Sequence, residues 1–436
     1  MRKLIATLFP VTQSADVRKS VWESLILRFT GLALIFLSQI LLARLMGVKG
    51  YGEYTVIMTA LNFLVVLSLF GLDTGVLRFL PTYIQKSDYA SVHGFLRFSY
   101  RVITFLAIVC SIGIFAFLLS NAKKYHIGFS EAIFWSVLLL PFLAFVYQAS
   151  SVLRALQRIK TSLLPVYFLF PLTMSLGWWY YYSDHNKLPV DAAMMINLIC
   201  TVLVFIYIYR RVARTVNEIV PVVPPKQESR LWLSVSATVL LTSMLNMLLK
   251  QSDILFVSYF LGNTAAGTYS AAAKMAMLVA LGLSVIDYVY IPKIAALWEN
   301  RKLIGLQKLV RDGSRQILWI TIPVALVLII GGKWLLSLFG PAFTGSYIPL
   351  IILIVGQLIN AVTGMVGGVL MMTGHQRSFF LFYFLSFLIQ VALNYLLIPG
   401  VGIIGAAIAS ATAVIFLNLI GYFYIRRKIK ISASAF

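Results

Sequence analysis

Acidic residues are scarce in this chain. Fourteen Asp and Glu stand against 36 Lys and Arg in 436 residues, charged residues of both signs reach only 11%, and there are four histidines and two cysteines. About a quarter of an average soluble protein is charged, so the shortage excludes a large soluble globular fold. The acids are too few and too dispersed to form an evident catalytic pair. His93, His126, His185 and His375 make no HExxH or other metal-binding spacing, and no GxxxxGK[ST] phosphate loop is present. No cofactor, metal or ATP hydrolysis is therefore expected. Cys110 and Cys200 both lie in apolar runs and read as small buried hydrophobes rather than as a disulfide. Met1–Ser20 begins basic, at Arg2 and Lys3, but its apolar run is short, contains Pro10 and leads to no small-residue cleavage site. It reads as a cytoplasmic, partly interfacial segment.

Apolar residues make up 60% of the chain, with a mean hydropathy of +0.91. A membrane-spanning helix needs about 20 mostly apolar residues. On that rule the sequence predicts an all-α integral membrane protein of about twelve spans, at 21–45, 54–80, 100–120, 130–153, 161–182, 190–209, 231–261, 265–291, 316–338, 347–371, 378–398 and 402–425. Of the 36 Lys and Arg, 26 fall on one side of such a scheme and five (Lys49, Lys123, Lys124, Lys187, Lys333) on the other. The positive-inside rule then puts both termini in the cytoplasm of a cytoplasmic-membrane protein. The net charge of +22 is mainly a topology signal, with anionic lipid headgroups as its counter-surface and no need of nucleic acid.

The long polar connection Arg210–Arg230, containing VPVVPPKQESR, divides the chain into an N-terminal six-helix lobe (1–215), a cytoplasmic linker (216–230) and a C-terminal six-helix lobe (231–436). Lys293–Gln316 mixes cations with Ile294, Leu297, Trp298, Ile304 and Leu309 and is expected to lie on the inner leaflet as an amphipathic helix. The halves also repeat. LMGVKGYGEYT from Leu45 aligns with FLGNTAAGTYS from Phe260 at an offset of 215, pairing Gly47 with Gly262, Gly52 with Gly267 and Tyr54 with Tyr269; LQRIKT and TGHQRS align at 217. Two nearly equal offsets, with an even number of spans in each half, predict parallel repeats facing each other across a central cavity.

With LLARLMGVKGYGEY, GLDTGVLRF, SDILFVSYFLGNTAAGTYSAAAKM, LFGPAFTGSYIPLIIL and LNYLLIPGVGIIGAAIAS in this order, the chain resembles the oligosaccharide (Wzx-type) flippases of the multidrug/oligosaccharidyl-lipid/polysaccharide exporter superfamily. The resemblance implies a non-enzymatic flippase moving a polyprenyl-diphosphate-linked oligosaccharide by alternating access, as a monomer working beside polysaccharide polymerase and export machinery. Multidrug extruders share the plan, so a cation-coupled extruder is the alternative, and an integral-membrane polymerase or ligase the alternative of another class.

Charges inside apolar runs mark the candidate cavity, because a charge near a bilayer centre costs roughly 2.5–3.5 kcal/mol even on the lenient insertion scale. Lys274, deep in the eighth span, and Arg28, entering from the first, are the candidate ligands of a diphosphate. Gln39 lies eleven residues beyond Arg28 on nearly the same face. Ser234, Thr238, Thr242, Asn246 and Lys250 recur every four residues along the seventh span as a polar ribbon, and Lys250 is placed to pair with Asp253. Gln357 and Asn360 share a face of the tenth span with Gly364; Ser386, Gln390 and Asn394 recur in the eleventh; and Tyr83, Tyr269 and Tyr288 offer flat surfaces to sugars. Hydrogen-bonded packing between helices is an equal use for these polar groups. Gly402, Gly405, Ala406 and Ala409 read as small-residue helix packing. Asp253 and Asp73 are the ion-coupling candidates, with a helix cap as the alternative role for Asp73. In the 215 register, Lys274, Lys250 and Asp253 fall opposite Thr59, Ile35 and Ser38, so the scaffold is duplicated and the charges are not.

Overall fold

The structure is a computed structural model and describes residues 15–125, 131–431 and 434. The expected interfacial segment lies outside these residues up to Ser14, as does His126. Among the described residues the regular elements are helices: α1 (Ala15–Leu69), α2 (Leu72–Gln85), α3 (Tyr89–Tyr125), α4 (Glu131–Ala155), α5 (Ile159–Leu164), α6 (Phe170–His185), α7 (Val190–Ile219) and α8 (Ser229–Leu261). They continue with α9 (Asn263–Val279), α10 (Leu281–Glu299), α11 (Leu303–Phe339), α12 (Tyr347–Thr363), α13 (Val366–Met372), α14 (Gln376–Val401) and α15 (Ile403–Lys428). A π-helical turn over Pro165–Leu169 precedes α6, and a 3-10 turn over Pro341–Ser346 precedes α12.

Ten stretches among the described residues are long and apolar enough to cross a bilayer. The first, Leu27–Gln85, has 59 residues. At 1.5 Å per residue a straight helix of that length would measure about 88 Å, roughly twice the full thickness of a bilayer. It turns at Gly47, whose φ of 71° and ψ of 176° are open only to glycine. Gly262, between α8 and α9, has φ 82° and ψ 174°. The two glycines paired by the sequence repeat thus share one backbone conformation.

Large apolar side chains point outward along these helices. On α11, Trp319, Ile322, Leu326, Ile330 and Trp334 form one exposed stripe. In water such a stripe would drive aggregation, whereas hydrocarbon solvates it without cost.

Three expected spans are interrupted. The second breaks at Phe70 and Gly71, both at positive φ, the eighth at Ala280, and the tenth at Gly364 and Met365. At Ala280 and Gly364 the apolar run continues through the interruption, so hydropathy carries no trace of it, whereas Asp73 follows the break at Gly71.

By compactness the chain divides into two units, Asp16–Met244 and Leu245–Phe436, and the division falls inside α8. In the first unit α4 packs along α7 and against α2. A β-carbon on Gly71 would lie 2.4 Å from the Ser236 carbonyl oxygen, so only glycine lets the broken end of α2 approach the α8 backbone so closely. Trp232, fully buried, meets the rings of Phe95 and Phe98 and donates its indole N–H to Tyr83 Oη at 2.9 Å. The connection into α8 is held down as a strap. Lys226 donates its backbone N–H to the Ala90 carbonyl at 3.0 Å, and His93 Nε2 lies 3.0 Å from the Pro221 carbonyl. Lys226 pairs with Glu228 at 2.9 Å, and Glu228 accepts from Tyr83 Oη at 3.1 Å.

In the second unit a core of Leu249, Ile286, Tyr290, Ile294, Leu306, Val310, Ile317, Val366 and Val369 joins α8 and α10 to α11 and α13. This corrects the reading of Lys293–Gln316 as a helix lying on the membrane surface. Ile294, Leu306 and Val310 are fully buried in the unit's own core, and the segment is the end of α10, a turn at Asn300–Lys302 and the start of α11. The buried positions of α11 run from Leu306 through Val310, Gly313, Ser314 and Ile317 into those of its apolar stretch, so one helix carries both.

Candidate functional site

The buried charge in the second unit is Asp253. The α8 face that turns inward near its end carries Leu249, Ser252, Asp253, Ile254 and Val257, and Asp253 is only 2% exposed. Two donors meet its carboxylate. Tyr269 of α9, itself fully buried, donates its hydroxyl to Oδ2 at 2.5 Å, and the Ile254 backbone N–H donates to Oδ1 at 2.9 Å. Ser410 of α15 lies near the same carboxylate. The expected partnership of Lys250 and Asp253 does not form: Lys250 is exposed, and the carboxylate is turned to Tyr269. Helical geometry explains this, since residues three apart diverge by about 60° around the axis and only one of the two faces the core.

The rest of the polar ribbon on α8 stays off the core. Ser234 and Thr238 are exposed, Thr242 and Asn246 half-buried, and the Thr238 and Thr242 hydroxyls each bond the carbonyl four residues back, at 3.3 and 3.1 Å. Lys274 is half-buried, about 16 Å along α9 from its first residue by helical rise. Arg28, also half-buried, belongs to the other unit. Gln39 Oε1 accepts a hydrogen bond from Tyr51 Oη at 3.3 Å, a contact that spans the Gly47 turn. Asn360 Nδ2 donates to Gln357 Oε1 at 3.2 Å, and both are half-buried. Asp73 sits in the first turn of α2, just after the Gly71 break.

Tyr83 and Tyr269 are committed to Glu228 and Asp253, respectively, and the Tyr288 side chain lies outside the described residues. Gly405 abuts the Leu397 backbone, where a β-carbon would come within 2.7 Å, and Ala406 and Ala409 are fully buried, which makes this face a helix-packing surface.

Gln390 and Asn394 of α14 are wholly enclosed, and none of their four amide atoms has a hydrogen-bond partner. Each such orphan group costs about 1–3 kcal/mol.

Two residues escaped the sequence reading. Ser410 lies among Gly405, Ala406, Ala407, Ala409 and Ala411, where a serine passes for one more small residue. Asp287 on α10 has a buried Oδ1 without a partner, close to Gly368 of α13. Its signal, an acid within LSVIDYVYI, is the same one that singled out Asp253. No group of three or more His, Cys, Asp or Glu able to hold a metal ion occurs among the described residues.

Ten apolar stretches, interrupted spans and charges held inside helices define a multi-pass membrane protein, and its fold is that of membrane transporters. It superimposes on an inward-facing multidrug resistance MATE family transporter of the MOP superfamily with a TM-score of 0.76, at 15% identity over 92% of this chain and 94% of that one. The lipid II flippase MurJ in its inward closed conformation matches with a TM-score of 0.70, at 15% identity over 92% of this chain and 87% of that one. Within that fold the chain belongs to the polysaccharide biosynthesis protein family, whose model matches residues 17–298. The capsular polysaccharide biosynthesis protein CapF of Staphylococcus aureus is 28% identical over 173 residues, which are 38% of this chain. The match spans 42% of the length of that curated relative.

Proposed function

We propose that the protein is a flippase that carries a polyprenyl-diphosphate-linked oligosaccharide, the repeat unit of a polysaccharide, from the cytoplasmic to the outer leaflet of the cytoplasmic membrane by alternating access. The observation that carries this reading is membership of a polysaccharide-biosynthesis family in a chain with cations set within apolar helices, Lys274 inside α9 and Arg28 near the start of the first apolar stretch. The cargo has an anionic diphosphate, a polar glycan and a tail that stays in lipid. A cation inside the membrane is costly on its own and is stabilised by an anion it meets there. Lys274 and Arg28 are the diphosphate ligands in this proposal. Lys250, Asn246, Gln39, Gln357 and Asn360 supply further charge and hydrogen bonds along the route.

Twelve crossings follow if Gly47 divides the first long stretch and α9 with α10 makes one interrupted span. The excess of Lys and Arg on one side then puts both termini in the cytoplasm.

In cells depleted of the protein, the lipid-linked glycan should accumulate on the inner leaflet and surface polysaccharide should fall. Arg28→Ala and Lys274→Ala, at normal protein levels, should each reduce export at least tenfold. Wild-type export from both variants would refute the cationic route. An unchanged glycan pool with heightened drug sensitivity on depletion would instead favour a multidrug extruder.

A further inference from the structure

In the first unit α4 turns one stripe outward: Phe134 and Leu138 are exposed, and Phe142 and Phe145 half-buried. The Phe145 ring meets Tyr100 of α3 at 6.0 Å and Phe205 of α7 at 5.6 Å, so α3 and α7 flank the stripe as the walls of a groove with an aromatic floor. Both walls carry the same gradation. On α7, Ile199, Leu203, Ile206 and Arg210 share one exposed face. On α3, Ile112, Ile108, Arg101 and Arg97 do the same. From Ile199 to Arg210, and from Ile112 to Arg101, helical rise covers about 16 Å, close to half of the roughly 30 Å hydrocarbon layer and so about one leaflet. The arginines stand at the strap's end of both helices. Arg97 follows Gly94, which lies under the strap, by three residues, and α7 leads into the strap after Ile219.

None of these three arginines pairs with an Asp or Glu among the described residues. Their charge stands open at the rim of a groove whose apolar length faces hydrocarbon. A guanidinium fork matches the oxygens of a phosphate, and an acyl chain covers an aromatic floor. We propose that the groove holds one anionic glycerophospholipid of the leaflet on the strap's side, its phosphate between Arg97 and Arg101 of α3 and Arg210 of α7, and an acyl chain along Phe145, Phe142 and Leu138. A free phosphate would leave the apolar length unused, and a zwitterionic lipid would bring a cation of its own to the arginines. Net positive charge attracts anionic headgroups anywhere along that side of the membrane. Here two helices aim cations at one place. The site uses neither Lys274 nor Arg28, so this lipid is a companion of the fold and not its cargo.

The test uses purified full-length protein in detergent, to which phosphatidylglycerol or phosphatidylcholine with the same acyl chains is added. Bound lipid is counted by native mass spectrometry, and thermal unfolding is followed in parallel. A ligand that binds only the folded state raises its stability with concentration. One phosphatidylglycerol per chain should be retained where phosphatidylcholine is not, and the Tm should climb with it. Arg97→Gln with Arg210→Gln should weaken retention at least tenfold. Arg426→Gln with Arg427→Gln, which removes the same charge from exposed positions of the second unit, should change it less than twofold. Equal retention of the two lipids overturns the proposal without need of any variant. So do equal losses in the two double variants, which would reduce the effect to net charge. Glycerol 3-phosphate, a head without chains, should not compete; competition by it would make this a free-phosphate site and overturn the assignment to lipid. Displacement by an equal amount of a polyprenyl diphosphate would hand the groove to the cargo and equally overturn it. Because no export is measured, these outcomes leave the flippase reading to its own depletion experiment.

Discussion

Tyr269 donates a 2.5 Å hydrogen bond to the Asp253 carboxylate, while its repeat counterpart Tyr54 accepts one of 2.8 Å from the Asn197 side-chain amide. The duplicated tyrosine has kept its burial in both units and has exchanged a neutral partner for a charged one. A bond to a charged group is worth about 1.5–3 kcal/mol and a neutral one about 0.5–1.5 kcal/mol. Tyr269→Phe is therefore expected to lower the unfolding midpoint more than Tyr54→Phe, measured side by side in one buffer. Equal shifts would mean that Asp253 draws little from its tyrosine.

Gly47 and Gly262 hold torsions that an L side chain adopts only under strain, of order 1–3 kcal/mol. Space is not the limit, since nothing lies within 4 Å of a β-carbon at either position. Gly47→Ala and Gly262→Ala should each destabilise the protein by about that amount. Gly113→Ala, on a helix and equally open, should be neutral or slightly stabilising. Thermal unfolding of the three variants checks this.

At Gly94 the limit is space. A β-carbon there would lie 1.7 Å from the Lys226 carbonyl oxygen, so Gly94→Ala must lift the strap from α3. Cleavage by trypsin after Lys226 should then quicken by an order of magnitude or more. An unchanged cleavage rate would show that the strap is not held at this point.

The strap should also loosen in acid. Lys226, by a direct bond, and then Tyr83 hold the Glu228 carboxyl below its ordinary value; the Ser91 side chain and its backbone N–H do the same for Asp88. A group whose folded value is depressed contributes stability above its unfolded value, about 4.3 for Glu and 3.9 for Asp, and loses it as pH falls through the folded value. Hydrogen exchange at the Lys226 amide, corrected for its intrinsic rate, should therefore accelerate as pH drops from about 5 to 3. Glu228→Gln should show much less of that acceleration.

Asp287 has a carboxyl oxygen buried without a partner. Removing its charge with Asp287→Asn should raise the unfolding midpoint, because a neutral amide costs less to bury than an unpaired carboxylate. A lower midpoint would reveal a partner for the charge.

Much of this was legible in the residues. Composition declared the bilayer as solvent, the Gly47 and Gly262 pairing located two turns of one conformation, and the rarity of acids in apolar runs picked out Asp253. The interruptions at Ala280 and Gly364 were not legible, because breaking a helix in place changes torsions and leaves hydropathy alone; the one at Phe70 left a sign in the GLDTG turn, where a cap was an expected role for Asp73. Direction was hidden as well. Lys250 and Asp253 are three residues apart, and only packing decides which of them turns inward. The strap reads as a polar, proline-rich linker because its anchoring depends on Ala90, Gly94 and Tyr83, more than a hundred residues earlier in the chain.

The exposed stripe of α11 begins and ends with tryptophan. Trp319 and Trp334 are 77% and 66% exposed and stand about 22 Å apart by helical rise. Indoles favour the headgroup level, and the hydrocarbon of a typical bilayer is about 30 Å thick. The helix thus carries its own depth gauge, graduated for a thinner film than average. In vesicles of graded acyl-chain length, the protein should sit with least distortion in the shorter lipids, where bromines placed near the headgroups would quench both indoles together.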